Sequence, residues 1–328
     1  VDLKSEQGKK IFLDLVDNVD VVLENFRVGS LERLGLGYEV AKARNPGIIY
    51  CSVSGFGQDG PYRDRAAMDL VVQGESGMIS ITGEPDSSGA RCGVSIADLT
   101  AGMYAAFGIV MAIRVKEKTG QGQLVDVSML EGQMSLLNLM LSSYMASGEV
   151  PRPMGTAYGA LLPYQAFSTQ SDDLTIAIGS QKLWNIFCPL IGQPEWVDDP
   201  RFASNTDRVT HREELTTLLQ GVFLTNTYDH WAALFEPAGI PFGALNTVDK
   251  LIDHPQVVAR GALVDIEHPR AGPYKVVGVP VRLSETPGGI NSPSPSLGEH
   301  TSQTLRDLLG MGDDEIAQLL ESGVVFGQ

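Results

Sequence analysis

Hydrophobic positions along the first 62 residues switch between helical and solid patterns. After Ser5, a fair N-cap, Ile11, Phe12, Leu15 and Val16 recur at helical spacing. Val21-Val22-Leu23 reads as a short buried strand, and Leu31–Leu36 with Tyr38–Arg44 give helical turns. Ile48–Val53 is a second strand, bounded by Pro46-Gly47 and Gly55. Alternating elements with unbroken apolar strands predict a parallel sheet covered by helices. From Met68 to Gly148 the pattern is mostly helical and rich in small residues. Ile96–Lys118 carries Ala97, Ala101, Gly102, Ala105, Ala106 and Gly108, so this helix is expected to approach its neighbours closely in the centre of a domain. The next strand is Leu124–Met129.

Around residue 150 the style changes. A Pro/Gly loop precedes strands at Tyr164–Thr169 and Thr175–Gly179, then amphipathic helices anchored by Trp184 and Trp231. Val264–His268 and Tyr274–Leu283 read as further strands, and Thr301–Leu320 as a final helical segment. The fold class expected is α/β. Residues 1–150 read as a large α/β domain, 151–286 as a small α+β domain, and 287–328 as a linker and final helical segment.

Charge narrows the function. The 24 basic residues face 40 acidic ones among 328, for a net −16 spread without long runs. Such a surface repels phosphate backbones and anionic lipid, so neither nucleic acid nor membrane is an expected partner. The longest uncharged stretches, Leu99–Ile113 and Gly132–Gly148, fall short of a bilayer span. Cys51, Cys92 and Cys188 are scattered, which suits a reducing compartment, and a cytoplasmic protein is expected.

All five histidines lie beyond residue 210, so N-terminal chemistry must use carboxylates, hydroxyls, Lys, Arg or backbone donors. No metal site is expected. Gly55-Phe-Gly-Gln-Asp-Gly60 follows a strand, but Pro61 and the charged Tyr62–Arg65 stand where a dinucleotide-binding helix would open. A structural turn is the better reading. Asp98 is the only charge between Val94 and Ile113. It reads either as an N-cap or as a carboxylate nucleophile, ionised and partly desolvated at the positive end of a buried helix. The loop Gly155–Gly159 reads either as a plain connection or as a lid whose N–H groups stabilise an oxyanion. Asn25-Phe26-Arg27 follows a strand, where α/β sheets bind ligands.

These motifs together resemble the class III CoA-transferases, the group of formyl-CoA transferase, carnitine and bile-acid CoA-transferases and α-methylacyl-CoA racemase. The matching stretches include Asp20–Arg27, Leu34–Tyr38, Ser54–Pro61, Ser80–Pro85, Ala97–Gly102, Lys118–Gly122 and Leu297–Thr301. The resemblance implies that Asp98 is the nucleophile and that Asn25, Phe26, Arg27, Arg33, Ala66, Ala67, Met68 and Asp69 hold CoA. It implies a substrate loop containing Gly155, Thr156, Tyr158 and Gly159. CoA would be a substrate exchanged between small carboxylic acids, succinyl-CoA being the expected donor, with no tightly bound cofactor. Also implied are a Rossmann-like fold for the large CoA-binding domain, the return of the C-terminal helices to it, and two chains interlocked as a homodimer. So is a strand–helix–strand region ahead of the position where this chain starts, which makes an N-terminally truncated member the expectation. Racemases of the group carry histidine where Met68 stands, and methionine takes no proton, so transfer is expected over racemisation. A catalytically silent CoA-binding subunit is the alternative from another class.

Overall fold

The computed structural model describes residues 1–327. They divide into two compact units, one made of Val1–Pro153 with Ser294–Gln328 and the other of Met154–Pro293.

The first unit is built on three parallel strands in the order β1 (Val21–Glu24), β2 (Ile49–Ser54) and β3 (Leu124–Ser128). Val21 pairs with Ile49, and Tyr50 with Leu124. β2 lies between its neighbours and is buried nearly throughout, its serines Ser52 and Ser54 included. Successive side chains of a strand point to opposite faces. Tyr50 accordingly joins a cluster with Val16, Leu31, Leu36 and Ala41, whereas Cys51 joins one with Ala97, Ala101, Ala105 and Val127. Helices therefore cover both faces of the sheet.

The long helix Ile96–Thr119 covers the second face. A Cβ on Gly108 would lie 2.6 Å from Val125 Cγ1, so only glycine lets the helix sit this close to β3. Close approach is as expected, but central burial is not. The small-residue edge packs on the sheet while Leu99, Met103, Phe107, Val110 and Met111 on other faces are exposed in the single chain. Helix Ile96–Thr119 is long and apolar enough to cross a bilayer by length and composition. Its small-residue edge is nevertheless already occupied by the parallel sheet.

The chain's ends meet in this unit. The Asp2 N–H donates to Val324 O, and Ile11 packs with Leu305, Ile316 and Leu319 from helices Thr301–Leu309 and Asp313–Glu321. Gly310, at φ +65°, separates those two helices, which the sequence pattern had joined.

The second unit holds an antiparallel sheet of β4 (Tyr164–Phe167), β5 (Leu174–Ala177) and β6 (Phe242–Ala244), with β5 central. Its core gathers Trp184, Phe187, Phe223, Trp231 and Phe235. β6 has only three residues and escapes a periodicity argument. A separate hairpin pairs β7 (Leu263–His268) with β8 (Gly272–Val277). β8 stops six residues before the expected end at Leu283, since Gly278 and Pro280 follow and proline brings no N–H to a ladder.

Candidate active site

A cleft of about 690 Å³ opens in the first unit at the carboxyl ends of β1 and β2. That is where open α/β sheets bind ligands, because the loops leaving the strands diverge there. Its lining brings together Asn25, Phe26, Arg27, Ala66, Ala67, Met68, Asp69 and Asp98. These residues span 74 positions of sequence, and the parallel sheet is what collects them.

Each part has a local cause. The Asn25 Nδ2 donates to Val53 O at 2.7 Å, tying the ends of β1 and β2 and directing the next two residues outward. Phe26 is exposed, and Arg27 has no side-chain partner among the described residues. The Gly55–Gly60 stretch is a turn: Gly57 and Gly60 have φ of +94° and +77°, and no helix opens after it. The Gly57 N–H donates to Ser54 Oγ at 3.0 Å and the Gln58 N–H to Asp126 Oδ2 at 3.0 Å. A Cβ on Gly55 would lie 2.1 Å from Ala67 Cβ, so the glycine lets the Ala66–Met68 segment lie against the turn.

Asp98 is the third residue of its helix, not the N-cap, which is Ser95. Ser95 makes no side-chain cap. Instead the buried Asp69 reaches over, its Oδ1 accepting from the Ala97 N–H at 2.9 Å. Asp69 Oδ2 accepts from Gln73 Nε2 at 2.7 Å and faces Arg91 Nη1 at 3.4 Å, while Gln73 Oε1 accepts from the Cys92 N–H at 2.9 Å. Asp69 thus lines the cleft with its carboxylate engaged in holding the helix start.

The Asp98 carboxylate itself accepts no hydrogen bond and forms no ion pair among the described residues. It is exposed to the cleft rather than enclosed in a buried helix. Partial burial by its surroundings, and then repulsion from Asp69, push its pKa above the usual carboxylate value. A free carboxylate of raised basicity is a better nucleophile than a paired one.

Met68 precedes the helix Asp69–Glu75, exposed and facing the cleft. Arg33 does not line the cleft; its guanidinium donates to Ser30 Oγ at 3.1 Å on the exposed side of its helix. Arg63 and Arg65 do line it and were missed. In the sequence these charges signal only that no dinucleotide-binding helix opens there. Arg65 stacks on Tyr62 at 4.2 Å from the ring centroid and pairs with Glu75 at 2.9 Å.

The Gly155–Gly159 loop belongs to the second unit. Gly155 has φ +60°, Thr156 Oγ1 accepts from the Ala166 N–H at 3.0 Å, and the Tyr158 ring lies 5.4 Å from that of Tyr164.

Comparison with known proteins gives this geometry a family. Residues 1–301 match the model for CoA-transferase family III. An acyl-CoA transferase of Fusarium pseudograminearum is 38% identical over 99% of this chain and 72% of its own length. A succinyl-CoA–D-citramalate CoA-transferase of Chloroflexus aurantiacus is 36% identical over 99% of this chain and 81% of its own. The human succinyl-CoA:glutarate CoA-transferase is 35% identical over 99% and 74% respectively. The crystal structure of a CAIB/BAIF family protein from Brucella suis superposes with a TM-score of 0.82 at 36% identity, covering 94% of this chain and 80% of that one. With its cleft at the strand ends and its sequence matched almost end to end, the chain belongs to CoA-transferase family III and is an enzyme of that class.

Proposed function

We propose that this enzyme moves CoA from succinyl-CoA to a second small dicarboxylic acid, through covalent intermediates on Asp98. The observation carrying the proposal is the unpaired Asp98 carboxylate opening into the cleft, with its basicity raised. The acid pair is supported by relatives named for succinyl-CoA with D-citramalate or glutarate.

Asp98 Oδ attacks the donor thioester carbonyl, the C–S bond breaks, and a mixed anhydride and CoA thiolate form. The thiolate attacks the Asp98 carbonyl carbon, giving an aspartyl-CoA thioester and releasing the donor carboxylate. The acceptor carboxylate then attacks that thioester and expels the thiolate. Attack of the thiolate on the acceptor's acyl carbon frees Asp98 and completes the new acyl-CoA. No net proton transfer is required. Each step passes through an oxyanion, which backbone N–H donors stabilise; the family resemblance assigns that role to the Gly155–Gly159 loop. The guanidinium groups of Arg27 and Arg63 suit CoA phosphates.

Exposed Leu99, Met103, Phe107, Val110 and Met111 support a homodimer, since a monomer rarely leaves so much apolar helix uncovered.

Asp98→Ala should abolish exchange with the fold intact, and hydroxylamine should trap modified Asp98 during turnover, read by peptide mass. A variant keeping more than about one per cent of the rate overturns covalent catalysis by Asp98.

A further inference from the structure

The stretch Arg91–Ser95 forms neither helix nor strand, yet it leads directly into the helix that presents Asp98. Of its backbone N–H groups only that of Cys92 has an acceptor among the described residues, and the acceptor is Gln73 Oε1 at 2.9 Å. The other end of the same amide, Gln73 Nε2, donates to Asp69 Oδ2 at 2.7 Å. Asp69 Oδ1 in turn accepts the Ala97 N–H at 2.9 Å. Asp69 and Gln73 stand four positions apart on the helix Asp69–Glu75. One edge of that helix therefore grips both the approach segment, at Cys92, and the helix start, at Ala97.

Gln73 is fully buried, next to Val72, which packs with Ala97 and Ala101. A primary amide taken out of water costs free energy unless both its ends are paired, and here both are. Packing alone does not require such a group, since methionine fills a similar volume without that cost. The partners also leave the amide one orientation. Its oxygen faces the Cys92 N–H and its nitrogen the Asp69 carboxylate, so Gln73 sets the direction in which Asp69 points. Arg91 holds Asp69 more loosely, with Nη1 at 3.4 Å from Oδ2.

Gln73 does not line the cleft, so it reaches the chemistry only through Asp69 and Cys92. Asp98 directly follows Ala97. Its carboxylate has no partner of its own among the described residues, so the helix start is what fixes its place. A reacting group misplaced by about 1 Å costs about a hundredfold in rate.

We infer that Gln73 is a positioning residue for the transfer reaction: its amide orients Asp69 and anchors Cys92, and through them holds Asp98 where it meets the thioester carbonyl. The inference rests on the covalent mechanism proposed above and adds to it the side chain that sets the nucleophile's position. Loss of the amide should then lower turnover more than it weakens substrate binding.

The test is steady-state kinetics of Gln73→Met and Gln73→Glu in the full chain, with melting curves and hydroxylamine trapping of the unsubstituted enzyme alongside. Gln73→Met fills the space without the hydrogen bonds and should lower kcat about tenfold or more, with KM for acyl-CoA within about threefold. A glutamate at this position donates to Asp69 only while protonated, because two carboxylates in contact share a proton. The charged groups already beside Asp69 are Arg91 and Asp98, and Glu24, Arg27, Arg63, Asp64 and Arg65 complete the charged lining of the cleft. All of these are common to the variant and the unsubstituted enzyme. Gln73→Glu should therefore keep most of its kcat at the acid end of the working range and lose it as pH rises, while still folded and while the unsubstituted enzyme holds level. An unchanged kcat in Gln73→Met, with Asp98 trapped normally in the unsubstituted enzyme, overturns the inference alone. So does a Gln73→Glu profile parallel to that of the unsubstituted enzyme, since the donated hydrogen bond is then idle. Failure of both variants to fold overturns it too, marking a purely structural glutamine. Turnover of the unsubstituted enzyme with no trappable Asp98 adduct overturns the covalent mechanism and this inference with it.

Discussion

Asp69 Oδ1 accepts the Ala97 N–H at 2.9 Å, so a carboxylate 28 residues upstream caps the helix that presents Asp98. Sharing one helix start sets the two acids in each other's field, and repulsion from Asp69 adds to burial in raising the Asp98 pKa. Asp98 must be ionised to attack, so the rate falls as pH drops through its pKa. Asp69→Asn keeps an oxygen for Ala97 but removes the negative charge. The acid limb of the kcat–pH profile should therefore move to lower pH, though only in part, because burial is the larger cause. Asp69→Ala should instead cost about 1–3 kcal/mol of stability, by leaving the Ala97 N–H without its acceptor. An acid limb that stays fixed in Asp69→Asn would remove Asp69 from the control of Asp98.

The contact between Gly55 and Ala67 gives a second prediction. An added Cβ at residue 55 meets Ala67 Cβ at 2.1 Å, so Gly55→Ala should destabilise the fold by about 1–3 kcal/mol and weaken CoA binding. Combining it with Ala67→Gly removes the clash and should restore part of both. Chemical denaturation and calorimetric CoA titration on the two single variants and the double variant measure this coupling.

The uncovered helix face supplies a third. Phe107 is 65% exposed in the single chain, and a charge there would be buried if a second copy covers this face. Phe107→Glu should shift the enzyme from dimer to monomer in sedimentation analysis, with its secondary structure retained. An unaltered sedimentation coefficient at the dimer value would mean that copies meet elsewhere.

Much of the first unit was legible because its signals are local. β2 announces two-sided burial in its own six residues, and Asp98 is a lone charge in an apolar stretch. What stayed hidden depends on partners far away in sequence. Nothing near Ala97 indicates that Asp69 would cap its helix, so Asp98 itself was open to being read as the cap. Arg208 and Arg212 look like ordinary helix-surface arginines until the carbonyls of Tyr158–Leu162, some fifty residues earlier, are folded against them. The long helix is expected at the centre because its alanines and glycines allow close approach, yet apolar residues also occupy its other faces. Periodicity does not reveal which of those faces the rest of the chain will cover.

The fastening of Asp2 to Val324 has a consequence for how the molecule is made. The unit that carries the cleft is discontinuous: it closes only when helices after Ser294 come back to Ile11. The Met154–Pro293 unit has all its core residues within one uninterrupted stretch. During synthesis the Met154–Pro293 unit can therefore reach its native core before the other, which waits for the helices after Ser294 to leave the ribosome. Until then Ile11 lacks its partners Leu305, Ile316 and Leu319, and closing a contact across so long a stretch of sequence is slow.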